Sequence, residues 1–286
     1  MENKESQEVS QKSPFAGCAI LITALLVMLF LIGFSVVILF RQFGEIAKFT
    51  EERPNAIEVV VVEDREAELN RLAEKIERFR LDVNDDKSAV LDLNVEEMNL
   101  AIAAYDSFKD LRGMFHVEEI TPEDIRFLIS FQLNGKPRLA KDGEGGLMTS
   151  DPRYLNGTLV ATPGLLNNEV VLLVKNIETE KATVPREFLE QMSPYRIAEK
   201  YIGSEGLGTT MAKLTNVSLG DGYVRFEKVS GKIPEDTITN EQVDAGSRKV
   251  LTFLGVAATV FLFFVSLILL LGHRLRKKRQ RDEQGG

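Results

Sequence analysis

The 286-residue chain has no tryptophan, one cysteine and two histidines. Each scarcity removes a class of function. Cys18 lies inside a long apolar run, so a disulfide-stapled secreted module is excluded. His116 and His273 have no Cys or His neighbour at metal-ligand spacing, and no H-E-x-x-H occurs. No G-x-S-x-G elbow is present. The Gly-rich GSEGLG at 203–208 lacks both a preceding strand and a following Lys-Ser/Thr, which excludes a phosphate cradle. Asp82, Asn84, Asp86 and Ser88 imitate the opening of a calcium loop. Lys87 replaces its turn glycine, however, and Leu93 stands where a bidentate Glu belongs. The sequence predicts no catalytic constellation, no metal site and no cofactor; the expected protein is not an enzyme.

Charge is missing from two stretches, 15–40 and 250–272. As helices they reach roughly 39 and 35 Å at ~1.5 Å per residue, enough to span a bilayer with some tilt. Two transmembrane helices are therefore expected, which excludes a soluble cytosolic protein. The first run is too long for a signal-peptide core, and Arg41-Gln42-Phe43 supplies no small-x-small cleavage site, so it reads as a retained anchor.

After the second run come Arg274, Arg276, Lys277, Lys278, Arg279 and Arg281. By the positive-inside rule this cluster holds the C-terminus in the cytoplasm, and two spans return the N-terminus there too. The expected location is the plasma (inner) membrane, with residues 41–249 extracytoplasmic. The cluster reads as a topology anchor that also offers contact with anionic lipid. Residues 273–286 carry +4 and residues 1–14 carry −1, so the chain's net −8 leaves −11 on the exterior. An acidic exterior argues against nucleic acid as a partner.

The expected organisation is a cytoplasmic tail (1–14), a span (15–40), a helical stalk (41–87), an extracytoplasmic α+β domain (88–230), a linker (231–249), a second span (250–272) and the basic tail (273–286). In the stalk, Leu69, Leu72, Ile76, Phe79 and Val83 recur at heptad-like spacing, an apolar seam of coiled-coil type for the protein's own domain or for a copy of itself. In the domain, Asn94 and Glu97 form a capping-box signature after a strand at 89–93. Strands are expected at 113–119 and 125–133 across the Thr121–Asp124 turn, then near 153–161 and 169–176 after a mobile loop at 134–152. Helices follow at Pro185 and near 195–202, and Gly220-Asp221-Gly222 marks a closing hairpin. The fold class is α+β, an antiparallel sheet packed on helices and flanked by the two transmembrane helices. Asn156 and Asn216 head glycosylation sequons, and Gly255 with Thr259 forms a small-xxx-small pair in the second run.

Ile125, Phe127, Ile129, Phe131 and Leu133 alternate with other residues and make one strand face wholly apolar. This face is either part of a filled core or the wall of an apolar groove that holds a lipid chain.

The segments LDLNVEEMNLAIA, RYLNGTLVA, VPREFLEQM and LTNVSLGDGYVRF, spanning about 88–230, resemble the layout of uncharacterised membrane-anchored bacterial ectodomains of planctomycete and verrucomicrobial type. More distantly the arrangement is similar to tubular (TULIP-like) periplasmic lipid-binding proteins. The resemblance implies an antiparallel sheet wrapped on helices, and contact with lipid. This chain departs from it by the second apolar run and the basic tail, which argue against free shuttling of lipid. Two functions follow as expectations. One is a non-catalytic module that binds membrane lipid or another envelope component. The other is a structural or assembly subunit that holds other membrane proteins, or a second copy of itself, through the spans and the 69–83 seam.

Overall fold

A computed structural model describes residues 14–238, together with Thr259, Phe263 and Ser266. The second expected span, its Gly255–Thr259 pair and the basic tail with Arg274, Arg276, Lys277, Lys278, Arg279 and Arg281 lie outside the described residues, those three positions apart. Among the described residues one helix is long and apolar enough to cross a membrane, at Leu25–Phe49 with a mean hydropathy of 2.3. It belongs to α1 (Pro14–Phe49), which runs past the end of the uncharged stretch. RQFGEIAKF at 41–49 contains no proline to stop the helix, and Lys48 in the last turn suits the negative end of its dipole.

The chain divides into two units. The first comprises Met1–Pro54 and Gln132–Leu155. Here the end of α1 is tied to a β-hairpin. Glu51 and Tyr154 exchange backbone hydrogen bonds at 2.8 Å in both directions. The Arg153 guanidinium donates to Thr50 Oγ1 at 2.7 Å and to the Thr50 carbonyl at 2.6 Å. Lys136 Nζ lies 5.5 Å from the centre of the Phe40 ring.

The hairpin corrects the expected loop at 134–152. Strand β3 (Ile125–Leu139) continues through it and β4 begins at Met148 (Met148–Leu166), leaving only 140–147 between the strands. Gly135 makes that pairing possible, because a Cβ there would stand 2.3 Å from the Asp151 carbonyl oxygen. Arg138 then braces the tip through Glu144 and Asp151, and holds the Glu144 carboxyl down at about 2.

The second unit, Asn55–Phe131 with Asn156–Gly286, is the α+β domain. Helix α2 (Glu66–Asn84) has acidic residues in its first turn, as the helix dipole favours. It is followed by β1 (Ala89–Asn94) and α3 (Val95–Ala104). The capping box is present: Asn94 Oδ1 accepts from the Glu97 amide at 2.9 Å, and the Glu97 carboxylate accepts from the Asn94 amide at 3.0 Å. A 3-10 turn at Asp106–Leu111 leads to β2 (Phe115–Ile120), which pairs antiparallel with β3. β4 pairs with β5 (Glu169–Glu178) across Asn167 and Asn168, whose φ values of 51° and 63° fit a tight hairpin turn. Then come α4 (Arg186–Met192), opened by Pro185, and α5 (Leu207–Met211). β6 (Asn216–Leu219) and β7 (Tyr223–Lys228) form the closing hairpin, with Gly222 at φ +83°.

The strands make two antiparallel sheets rather than one, in the orders β1-β7-β6 and β2-β3-β4-β5. The first is closed by the N-terminal strand pairing with the last one, where Asp92 opposite Arg225 forms a two-pronged ion pair with both contacts at 2.7 Å. The helix expected near 195–202 is reduced to a 3-10 turn at Glu199–Tyr201. Tyr195 is unavailable to it, since its backbone exchanges hydrogen bonds with Leu172.

The stretch expected as a stalk is divided between α1, the irregular residues 50–65, and α2. The seam packs on the chain's own domain: Leu72 (1% exposed) forms a cluster with Leu100 and Ala101 of α3, flanked by Leu69 and Ile76. Phe79 and Val83 are buried as well. Removing a side chain such as Leu72 from this contact costs about 2–5 kcal/mol.

Candidate functional site

An apolar cavity of about 380 Å³ lies within the second unit. That volume falls in the range of roughly 300–1,000 Å³ typical of small-molecule sites. Both sheets and three helices contribute to its wall, for example through Leu91 of β1, Phe127 of β3, Leu172 of β5, Ile102 of α3 and Leu207 of α5. The alternation of each strand turns these residues inward, and the second sheet supplies Val224 from β7.

The expected strand face is divided by the structure. Ile125 and Phe127 line the cavity. Ile129 is buried at 1% exposure and is not part of the wall. Phe131 is occupied in an aromatic group, its ring 4.8 Å from Phe115 and 5.6 Å from Tyr195. Leu133 lies in the first unit and is half-buried. Of the seam, Ile76 and Phe79 reach the cavity wall, and Leu69, Leu72 and Val83 do not.

The polar chemistry of the wall is sparse. Among the described residues, Arg80 is the only charged one on it. Its Nε and Nη2 donate to the Glu77 carboxylate at 2.7 and 2.5 Å, in an ion pair that is itself solvent-exposed. The Tyr201 hydroxyl donates to the Ser107 carbonyl. Three hydroxyls are left, one of them on the exposed Ser107. Tyr105 Oη and Thr210 Oγ1 are both closed to any water-sized group and neither has a hydrogen-bond partner. Burial pushes the Tyr105 phenol above its usual pKa. Neither residue stands out in the sequence, because lacking a partner is a property of the folded chain.

Local structure places these hydroxyls. Tyr105 is the residue at the end of α3, where the backbone turns to an extended conformation at ψ 130°. Thr210 rides on the short α5, and Gly208 in the same helix lets it sit against the 3-10 turn: a Cβ at Gly208 would meet the Tyr201 carbonyl oxygen at 2.2 Å.

Other candidates resolve into structural roles. Asn156 is buried, its Oδ1 accepting from Ser130 Oγ at 2.8 Å and from the Asn55 amide at 3.2 Å, so the folded domain does not present this sequon. Asn216 Nδ2 donates to Glu227. In the calcium-loop imitation, the Lys87 ammonium reaches Asp85 at 2.8 Å and Asp82 at 3.7 Å. Glu169 is fully buried at the start of β5 and is held by Arg196 at 2.5 Å. Among the described residues no group of three His, Cys, Asp or Glu side chains is placed to hold a metal ion. No protein-family model matches this chain, and no curated protein or solved structure does either.

Proposed function

We propose that the protein is a membrane-anchored, non-enzymatic module whose α+β domain binds lipid or another envelope component of similar apolar character. The observation that carries this reading is the cavity of about 380 Å³ walled by aliphatic and aromatic side chains from both sheets. A helical segment long and apolar enough to cross a membrane accompanies it in the same chain. In this reading α1 keeps the domain beside the bilayer from which its ligand comes, and residues 41–249 face away from the cytoplasm. The alternative, an assembly subunit gripping other proteins by the 69–83 seam, is less favoured because Leu72, Phe79 and Val83 are already buried in the chain's own domain.

The test fills the cavity. Leu207 is 38% exposed and Ile102 is half-buried, so each tolerates enlargement better than a core residue. The full chain, extracted in detergent and exchanged into amphipol, is stripped with organic solvent and its bound lipid weighed. The wild type should retain more lipid than Leu207→Trp or Ile102→Trp with the same circular dichroism. Equal retention in all three would remove the cavity as a lipid site.

A further inference from the structure

We infer that the hairpin joining β3 to β4 makes a second membrane contact. Leu139, Leu147 and Met148 at its far end sit at the headgroup–acyl boundary of the bilayer that α1 crosses. This rests on the reading that α1 spans a membrane, and goes beyond it by assigning a lipid-facing surface outside the span.

Two sets of contacts, all within the first unit, fix the direction in which the hairpin runs. Its base is tied to the end of α1, where Glu51 and Tyr154 exchange backbone hydrogen bonds and Arg153 reaches the Ala47 carbonyl at 3.2 Å. Further along, Lys136 Nζ stands 5.5 Å from the centre of the Phe40 ring. The hairpin therefore points back along α1 towards its uncharged run. That run, 15–40, is longer than the ~20 residues the hydrocarbon core requires, so Phe40 falls at headgroup level. Leu139 comes three residues after Lys136, about 10 Å further at ~3.3 Å per strand residue. The end of the hairpin thus reaches the boundary where α1 enters the hydrocarbon.

What the hairpin carries there is apolar and uncovered. Leu147 is 88% exposed, Leu139 78% and Met148 62%, and no other large apolar side chain among the described residues is as exposed as Leu147. The Ala140 amide donates to the Leu147 carbonyl at 3.2 Å, which makes Leu139 and Met148 neighbours as the next residues on the two strands. Exposed apolar side chains grouped in this way mark an interaction surface. The acidic groups beside them have partners: Arg138 holds Glu144 at 2.8 Å and Asp151 at 2.7 Å, and the Lys141 amide donates to Glu144 at 2.7 Å. Charge is balanced as well, since Lys136, Arg138 and Lys141 match Asp142, Glu144 and Asp151. Apolar burial, and not headgroup charge, is what this end of the hairpin offers a bilayer.

The experiment places the full chain, one copy per nanodisc, in phosphatidylcholine with a diazirine near the headgroup end of one acyl chain. After photolysis, lipid adducts are mapped by peptide, and label on α1 reports that the helix lies in the bilayer. The expected result is label on the 139–148 peptide as well as on α1. In the triple variant Leu139→Asn, Leu147→Asn, Met148→Asn the hairpin label should fall about ten-fold, as loss of even one such side chain from apolar surroundings provides, with α1 label unchanged. All three side chains are exposed, so circular dichroism should be unaltered, and Leu147→Asn alone should give part of the fall. Exchanging part of the lipid for phosphatidylglycerol should leave hairpin labelling as it was. Label on α1 and none on the hairpin would overturn this inference and leave the anchored reading standing. Hairpin label that survives the triple substitution, or rises several-fold with the anionic lipid, would overturn the apolar contact. An unlabelled hairpin in a chain that pairs in larger discs, where the triple variant does not, would give the surface to a second copy and overturn the inference too. Label on neither segment would overturn the membrane reading of α1 itself.

Discussion

Asn99 and Val117 hold each other through both polar groups of one side chain: Asn99 Nδ2 donates to the Val117 carbonyl and Oδ1 accepts from the Val117 amide, each at 2.8 Å. Val117 lies in β2, the edge strand of the four-stranded sheet, just before the irregularity in its pairing with β3. The amide of Asn99 therefore takes the place that a further strand would fill, and fixes α3 to the sheet edge. α3 and β2 both contribute to the cavity wall, through Met98 and Phe115, so this contact joins two of its sides.

Asn99→Ala leaves the amide and the carbonyl of Val117 without their buried partners. At about 1–3 kcal/mol for each orphaned group, the loss should be about 2–6 kcal/mol in denaturant unfolding. Hydrogen exchange at the Val117 amide should become fast in the same variant.

Asn94 caps α3 and its partner Glu97 also receives Lys75 of α2 at 2.7 Å. Asn94→Ala should cost about 1 kcal/mol through loss of the cap. The Lys75–Glu97 pair is partly exposed, so a double-mutant cycle on it should return only about 0.2–1 kcal/mol. A coupling well above that would mean that the pair carries more of the α2–α3 contact than its exposure suggests.

Phe131 belongs to the filled part of the core rather than to the cavity wall. Phe131→Ala should cost about 3–5 kcal/mol, read as a lowered unfolding midpoint. Ile102→Ala, at a half-buried wall position, should cost less and enlarge the cavity. The opposite ranking in urea titrations would contradict the division of the strand face into core and wall.

The Arg225 guanidinium holds the Asp92 carboxyl below its ordinary pKa. The sign of the linkage follows: the native state releases this proton more readily than the unfolded chain, so the pair's contribution is fully present above the unfolded carboxyl's pKa and fades as pH falls through the lower native value. Wild type should lose more stability between neutral pH and pH about 3 than Asp92→Asn does, the unfolded reference being about 3.9. Parallel pH profiles for the two proteins would mean that the β1–β7 ion pair adds nothing to closure of that sheet.

Much of the fold is legible in local sequence. The alternation from Ile125 to Phe131 appears as strand β3, Asn94 with Glu97 as a capping box, and Gly220-Asp221-Gly222 as a hairpin. In each, the signal lies within a few residues of the structure it specifies. The hairpin at 132–155 was illegible because its polar strands have no apolar face and so no period. The division into two sheets depends on β1 finding β7 far along the chain, which no local pattern encodes. For the candidate site, alternation pointed to Ile125 and Phe127, but it could not separate wall from core along one strand. Tyr105 and Thr210 carried no signal at all, since any Tyr or Thr finds a partner in most folds.

The most direct measurement is a structure of the full chain purified from its native membrane without delipidation. The account predicts elongated density in the cavity among Ile102, Phe127 and Leu207. Side chains closed into that space, or a cavity holding isolated waters alone, would contradict it.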